Sequence, residues 1–152
     1  MSRSKRKGDG YERELAKYLD ERLYRGRGKI TRAIMSGGGR SFAGGGGADL
    51  TGTPDIWVEA KRTERFRPYE AMEQAERGIE AKRTEDAPVV INRRNGVKTE
   101  DSLVVMRLSD WIEMYFCYLQ LIGDWDDKTL GLINHGRDES TPSDSGADSG
   151  DE

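Results

Sequence analysis

The fold of this chain is decided by the stretch ADLTGTPDIWVEAK, residues 48–61. Its centre, residues 51–54 (Thr-Gly-Thr-Pro), has the composition of a tight turn between two extended segments, so the stretch predicts a β-hairpin. Successive side chains of a strand point to opposite faces, and Trp57, Glu59 and Lys61 therefore share one face of the second strand. That face carries a carboxylate and an ammonium group side by side.

The predicted hairpin also brings a second carboxylate to that face. If residue 49 pairs with residue 57, Asp49 becomes the diagonal neighbour of Glu59, about 7–8 Å away between backbones. Two carboxylates at that distance can close around one divalent cation, and Mg²⁺ is commonly held by one or two carboxylates and several waters. Asp55 has the parity of Glu59 but lies about 13 Å away along the strand, which makes it only an accessory candidate. The alternative is an ordinary hairpin with a cross-strand charge pair.

A third acidic residue belongs to the first predicted helix, residues 11–24, whose apolar face is formed by Leu15, Ala16, Leu19 and Leu23. On this helix Glu12 points along the middle of the apolar face, whereas Glu14 points to solvent. A charge directed at the core needs a partner, so Glu12 is a candidate metal ligand or a hydrogen-bond partner of a metal-bound water. The alternative is that Glu12 belongs to a capping box that begins at Asp9.

The rest of the chain alternates strand and helix patterns. Pro68 is expected to begin a second helix, and Ser109 to cap a third over 110–122, whose aromatic residues are expected to form helix core. Strands are predicted at 29–35, 56–60, 87–92 and 102–108. This order predicts an α/β fold with a central mixed β-sheet flanked by helices.

Composition and charge divide the chain into segments. We expect a flexible basic arm at 1–8, a folded domain at 9–135 with a glycine-rich loop at 37–47, and an acidic disordered tail at 136–152. Residues 1–40 contain 12 Lys or Arg and 5 Asp or Glu, whereas the tail contains one Arg and six acids, so the net charge of −3 conceals a basic front. Such a front is typical of a polyanion binder, although charge runs are as often merely solvated.

Several classes of site and location are excluded by residue counts. A single cysteine, Cys117, and a single histidine, His135, leave no intrachain disulfide and no cysteine- or histidine-based metal site. Any metal must be held mostly by carboxylates. No run approaches the roughly 20 apolar residues of a membrane helix, and no signal peptide is visible, so a cytoplasmic location without membrane contact is expected.

The ordered motifs GYEREL (10–15), GADLTG (47–52) and PDIWVEAKR (54–62) resemble those of the PD-(D/E)xK nuclease superfamily, above all the Hjc-type Holliday junction resolvases of archaea and phages. The resemblance implies a restriction-endonuclease-like core and a Mg²⁺-dependent endonuclease, with Mn²⁺ as a substitute. It implies a catalytic set comprising Glu12, Asp49, Glu59 and Lys61, the three acids being the metal ligands. One departure is that Asp55 of the literal Pro-Asp dipeptide stands only three residues before the Glu-x-Lys pair.

Two further segments, KRTER (61–65) and EQAE (73–76), resemble phage members of the family and suggest that Gln74 lies near the site. The implied partners are branched DNA and a second copy of the chain, and the resemblance implies a dimer interface as the alternative role of the aromatic residues of the third helix. Two alternatives stay open: a nuclease of the same fold that acts on another DNA structure, and a DNA-binding protein without catalysis. Basic residues expected to contact phosphates are Arg3, Lys5, Arg6, Lys7, Arg13, Arg32, Arg40, Arg62, Arg93 and Arg94.

Overall fold

The computed structural model describes residues 3–33 and 47–124, and the side chains from residue 8 onward. The chain divides into two compact units, residues 1–112 and 113–152, and the strands all lie in the first. In chain order the elements are α1 (Arg3–Tyr24), β1 (Thr31–Arg32), β2 (Leu50–Thr51), β3 (Ile56–Arg62), α2 (Pro68–Lys82), β4 (Ala87–Arg93), a 3₁₀ turn (Thr99–Asp101), β5 (Leu103–Val105) and α3 (Leu108–Leu121).

The sheet is mixed and has the order β3-β4-β5. Strands β3 and β4 are parallel, with Glu59 opposite Val90, and α2 connects them because parallel neighbours cannot be joined by a tight hairpin. Strand β5 runs antiparallel to β4, and β1 and β2 form a separate antiparallel pair. The predicted mixed α/β class is therefore confirmed.

The two faces of the sheet are covered by different helices. On one face α1 contributes a fully buried Tyr11 and Leu15 to a core cluster with four strand residues, Val58, Ala60, Val89 and Ile91. On the other face Met72 and Ala71 of α2 pack against Val90. Since Glu59 lies opposite Val90 in the register, Glu59 is on the face that α2 covers.

Helix α1 begins earlier than its sequence predicts. It starts at Arg3, so residues 3–8, where the sequence predicts a flexible arm, are part of the helix. Asp9 lies inside the helix and accepts a hydrogen bond from Arg32 (2.9 Å), so it is no N-cap and the capping-box alternative for Glu12 is excluded. Leu23 is 67% exposed, which ends the buried apolar stripe near Leu19.

The predicted hairpin is present in altered form. Strand β2 pairs with β1 and not with β3, and its link to β3 is a hydrogen bond from the Asp49 N–H to the Val58 carbonyl (2.9 Å). Residue 49 therefore faces residue 58, one position away from the predicted register. The turn requires Gly52, whose φ is +84° and where a Cβ would lie 1.8 Å from the Lys29 carbonyl oxygen.

The strands at either end of the sheet region are also shorter than predicted. β1 covers two residues of the predicted 29–35, and β5 covers three of the predicted 102–108. The sequence pattern also predicts a buried β5, but Leu103 and Val104 are 63% and 62% exposed. Helix α3 begins at Leu108, which places Ser109 inside the helix instead of at its cap.

The apolar residues of α3 do not form a core in the single chain. In the first unit Leu108 and Ile112 are exposed, at 70% and 53%. In the second unit the described residues 113–124 complete the helix, and Tyr115 and Tyr118 stack with ring centroids 6.0 Å apart. A dimer interface at this helix stays a prediction. Outside the described residues lie Arg40, His135, the tail at 136–152 and all of the 37–47 loop except Gly47.

Candidate active site

Asp49 is anchored against the free edge of β3. Its main chain donates to Val58 and accepts from the Ala33 N–H (2.8 Å), while its Oδ2 accepts a hydrogen bond from the Ala60 N–H (2.7 Å). This carboxylate thereby satisfies a backbone donor that the edge of the sheet leaves without a strand partner.

The electrostatic environment of Asp49 disfavours its charge. Burial, followed by repulsion from Glu59 and Glu12, raises the pKa of Asp49 to about 7, against a lowering effect of the Ala60 N–H and of Lys61. A cation bound at Asp49 would offset the repulsion from Glu59 and Glu12 and would favour the ionised form of the Asp49 carboxylate.

Glu59 forms a closed set of three hydrogen bonds with Lys61 and Gln74 on the face covered by α2. The residue is only 6% exposed, and its Oε1 accepts from Lys61 Nζ (2.6 Å) and from Gln74 Nε2 (2.7 Å). Lys61 Nζ also donates to Gln74 Oε1 (2.8 Å). Gln74, from the middle of α2, thus fixes the orientation of both charged groups.

The carboxylates of Asp49 and Glu59 fit a hard divalent cation that takes only a few of its ligands from the protein. Asp49 and Glu59 supply carboxylate oxygens, which Mg²⁺ prefers, and their mutual repulsion indicates a local shortage of positive charge. Among the described residues, however, no group of three or more metal-ligating side chains is assembled. Two carboxylates with water in the remaining positions therefore describe the site that these residues can form.

Glu12 reaches the same region but has another partner. Its Oε2 accepts a hydrogen bond from Arg32 Nε (2.5 Å), and the two side chains are 15% and 29% exposed. Glu12 still acts on Asp49 through space. The structure therefore places Glu12 near the proposed ligands while pairing it with a guanidinium group.

Asp55 stands apart from this cluster. It occupies a left-handed turn position (φ +59°) immediately before β3, and its side chain is exposed. Its contribution to the fold is its carbonyl oxygen, which accepts the Ala87 N–H (2.9 Å) at the start of the parallel strand pair. Between the two aspartates, the geometry favours Asp49 as the site residue.

The expected phosphate contacts divide into exposed and committed side chains. Arg13 and Arg94 are exposed, and Arg62 is half-buried with its Nε on Asn95 Oδ1 (3.2 Å). Arg32 is engaged by Glu12 and Asp9. The side chains of Arg6 and Lys7, like all of Arg40, lie outside the described part of the structure.

Arg93 is a structural residue, and its assignment as a phosphate contact is wrong. It is 5% exposed, donates to both carboxylate oxygens of Glu14 (2.6 and 2.8 Å), and lies 4.6 Å from the centre of the Tyr11 ring. Hydrogen bonds from Arg93 and Thr99 hold the pKa of Glu14 at about 2. Glu14 is exposed, as its position on the helix predicts, and it also pairs with Arg93, which the helical pattern does not indicate.

Asp20 is a second buried acid that sequence reasoning missed. Its two oxygens accept the N–H groups of Gly28, Lys29 and Ile30 at 2.6–2.9 Å, and these bonds lower its pKa. A signal for it existed, because an aspartate near a helix end followed by a glycine-rich turn is a common acceptor for loop N–H groups. No comparable signal marked Arg93, which lies in the middle of an apolar strand pattern.

No family model, no curated protein and no solved structure matches this chain. The functional assignment therefore rests on the residues of the chain alone. Within residues 3–33 and 47–124, no helix is long and apolar enough to cross a membrane. The structure thus defines a mixed α/β domain in which Asp49 is hydrogen-bonded to the edge strand that carries Glu59 and Lys61.

Proposed function

We propose that this protein is a Mg²⁺-dependent, structure-selective DNA endonuclease of the resolvase type, built on a restriction-endonuclease-like PD-(D/E)xK core. The observation that carries the proposal is the arrangement of Asp49, Glu59, Lys61 and Gln74 at the edge of β3. Two coupled carboxylates beside a fixed ammonium group form a donor set for a phosphodiester reaction, whereas a purely structural edge has no need of them. Branched DNA and a second copy of the chain are the proposed partners.

Each group has a role that follows from its contacts. Asp49 and Glu59 would hold the ion, which when bound lowers the pKa of a coordinated water and neutralises charge on the phosphodiester. Lys61 places a positive charge beside Glu59, where it can stabilise negative charge that develops on the phosphate. Gln74 keeps Lys61 and Glu59 in fixed orientations and is therefore a positioning residue.

A DNA-binding protein without catalysis is the second candidate. Two observations favour it: the described residues contain no three-ligand metal group, and Lys61 bonds directly to Glu59. A nuclease of the same fold with a different DNA substrate shares every feature of the site, so only substrate tests separate it from a resolvase.

The proposal is tested by cleavage of synthetic four-way, flap, nicked and linear DNA with Mg²⁺ or Mn²⁺. We expect four-way DNA to be cut, and Asp49→Ala or Glu59→Ala to reduce the rate by at least about 100-fold while DNA binding is retained, because only the metal ligands are removed. Asp55→Ala is the matched control and should keep most of the activity. Equal loss in the Asp55 variant would show that the wrong aspartate has been assigned, and no cleavage of any substrate would favour the non-catalytic candidate.

A further inference from the structure

Arg32 is bound on two sides by carboxylates of α1. Its Nε donates to Glu12 Oε2 (2.5 Å) and its Nη2 to Asp9 Oδ1 (2.9 Å). The pKa of Arg32 is raised, chiefly by the bond to Glu12, and Asp49 is among the charges that add to the effect. One guanidinium group therefore pairs with two acids of α1, and the charge of Asp49 acts on it through space.

The location of Arg32 is built into the fold. Asp20 fixes the segment before β1 through the N–H groups of residues 28–30, and Ile30 is 3% exposed. Arg32 then pairs with Leu50, and the next residue, Ala33, donates its N–H to the carbonyl of Asp49. The guanidinium group is thus delivered to the neighbourhood of Asp49 by ordered backbone on both sides.

The Glu12–Arg32 pair conflicts with a simple reading of the proposed site. The sequence assigns Glu12 to the metal and Arg32 to a DNA phosphate, yet in this structure the two side chains bind each other. A carboxylate oxygen that accepts a short charge-assisted bond from a guanidinium cannot offer the same lone pair to a metal. Both roles become compatible if the pair separates when a cation arrives.

We propose that Arg32 is a resident counter-ion that a divalent cation displaces from Glu12. In the metal-free protein the guanidinium neutralises Glu12. Asp49 and Glu59 would hold the cation and Glu12 would add a ligand, so that the Nε side of the Arg32 guanidinium would be open to a phosphate group while Nη2 keeps its bond to Asp9. This inference rests on the proposed metal site and describes how that site is kept neutral before loading.

The test is Mn²⁺ binding to the full chain without DNA, measured by calorimetry. Arg32→Gln removes a positive charge that competes with the cation for Glu12. We therefore expect this variant to bind Mn²⁺ about tenfold more tightly than wild type, a change of about 1.4 kcal/mol in binding free energy. In a Glu12→Gln background the same substitution should gain much less, because no carboxylate is left to be released. Arg32→Lys keeps the charge and should stay near wild type.

Two controls separate the possible failures. Arg107→Gln also removes an arginine that donates two hydrogen bonds to carboxylate oxygens, both of them on Glu76, and should leave Mn²⁺ affinity unchanged. Thermal unfolding with EDTA and with Mn²⁺ shows whether Arg32→Gln folds, and an apo protein that Mn²⁺ rescues also supports the exchange. Mn²⁺ binding that is equal or weaker in Arg32→Gln, or a gain that persists with Glu12→Gln, overturns this inference alone. Failure of wild type to bind Mn²⁺, or Mn²⁺ binding unaffected by Asp49→Asn, overturns the proposed site as well.

Discussion

The behaviour of single residues at the site follows from how much water and charge surround each carboxylate. Asp49 has a pKa raised to about 7, so the folded state disfavours its ionised form, whereas Glu14 has a pKa held at about 2 by Arg93 and Thr99. Two acids in one small domain are thus shifted in opposite directions, Asp49 by burial and repulsion and Glu14 by paired donors.

Asp49 should make stability depend on pH in a defined direction. A carboxyl whose pKa is raised on folding favours the folded state below its unfolded pKa, and that contribution is lost as pH rises from about 4 to 7. Without divalent cations, Asp49→Asn should therefore be more stable than wild type at pH 8, by about 2–4 kcal/mol, and nearly equal at pH 4. Urea unfolding with EDTA across this range measures it, with Asp55→Asn as the exposed control. If the stability difference between Asp49→Asn and wild type does not change with pH, folding does not raise the pKa of Asp49.

Glu12 and Glu14 are neighbours with different tasks. Glu14→Gln leaves the buried guanidinium of Arg93 without its charged partner and should lower stability by about 1–3 kcal/mol, while cleavage by the folded protein persists. Glu12→Gln should instead reduce cleavage more than stability. Denaturant unfolding and cleavage rates for both variants test this distinction. Loss of cleavage in well-folded Glu14→Gln, with none in Glu12→Gln, would reverse the roles.

At the scale of elements, the turn between β2 and β3 sets the position of Asp49. Gly52→Ala puts a methyl group within 1.8 Å of the Lys29 carbonyl, so the turn must shift and carry Asp49 away from Ala60. We expect a loss of stability well above the roughly 1–2 kcal/mol that a left-handed backbone position costs an L-residue with a Cβ, together with loss of cleavage. Gly96→Ala is the matched control, because Gly96 also has positive φ (+75°) but open space around it. Similar losses in both variants would mean that backbone strain alone is responsible.

At the scale of the whole molecule, the uneven charge along the chain should govern DNA affinity. Helix α1 begins at Arg3, so the basic residues are better replaced than deleted. Changing Arg3, Lys5, Arg6 and Lys7 to Gln should weaken binding to all DNA structures and reduce the salt slope by about 0.9 for each phosphate that is no longer neutralised. Titrations on junction and linear DNA between low and physiological salt measure it. An unchanged slope would show that this end of α1 does not touch DNA.

The acidic segment 136–152 should act in the opposite direction. It carries six acids and one arginine, so its removal makes the remaining chain more positive. Deletion should tighten non-specific binding to linear duplex at low salt, and the gain should shrink as salt screens the charge. Weaker binding after deletion would show that the segment itself binds DNA.

The sequence by itself determined the local features of this protein. Strand alternation placed Glu59 and Lys61 on one face of β3, helical spacing placed Leu15 and Ala16 in the core, and Pro68 marked the start of α2, as observed. These features depend on periods of two and 3.6 residues and on the fixed φ of proline, which neighbours in sequence are sufficient to specify.

Only the tertiary structure decided which distant groups meet. The pairing of β2 with β1, the one-residue shift of Asp49, and the partners of Glu12 and Glu14 all depend on segments that are far apart in the chain. A charged side chain near a core takes whichever opposite charge or backbone donor the packing brings within reach, because leaving it unpaired is costly. That choice is made between elements, and the pattern within any one element does not contain it.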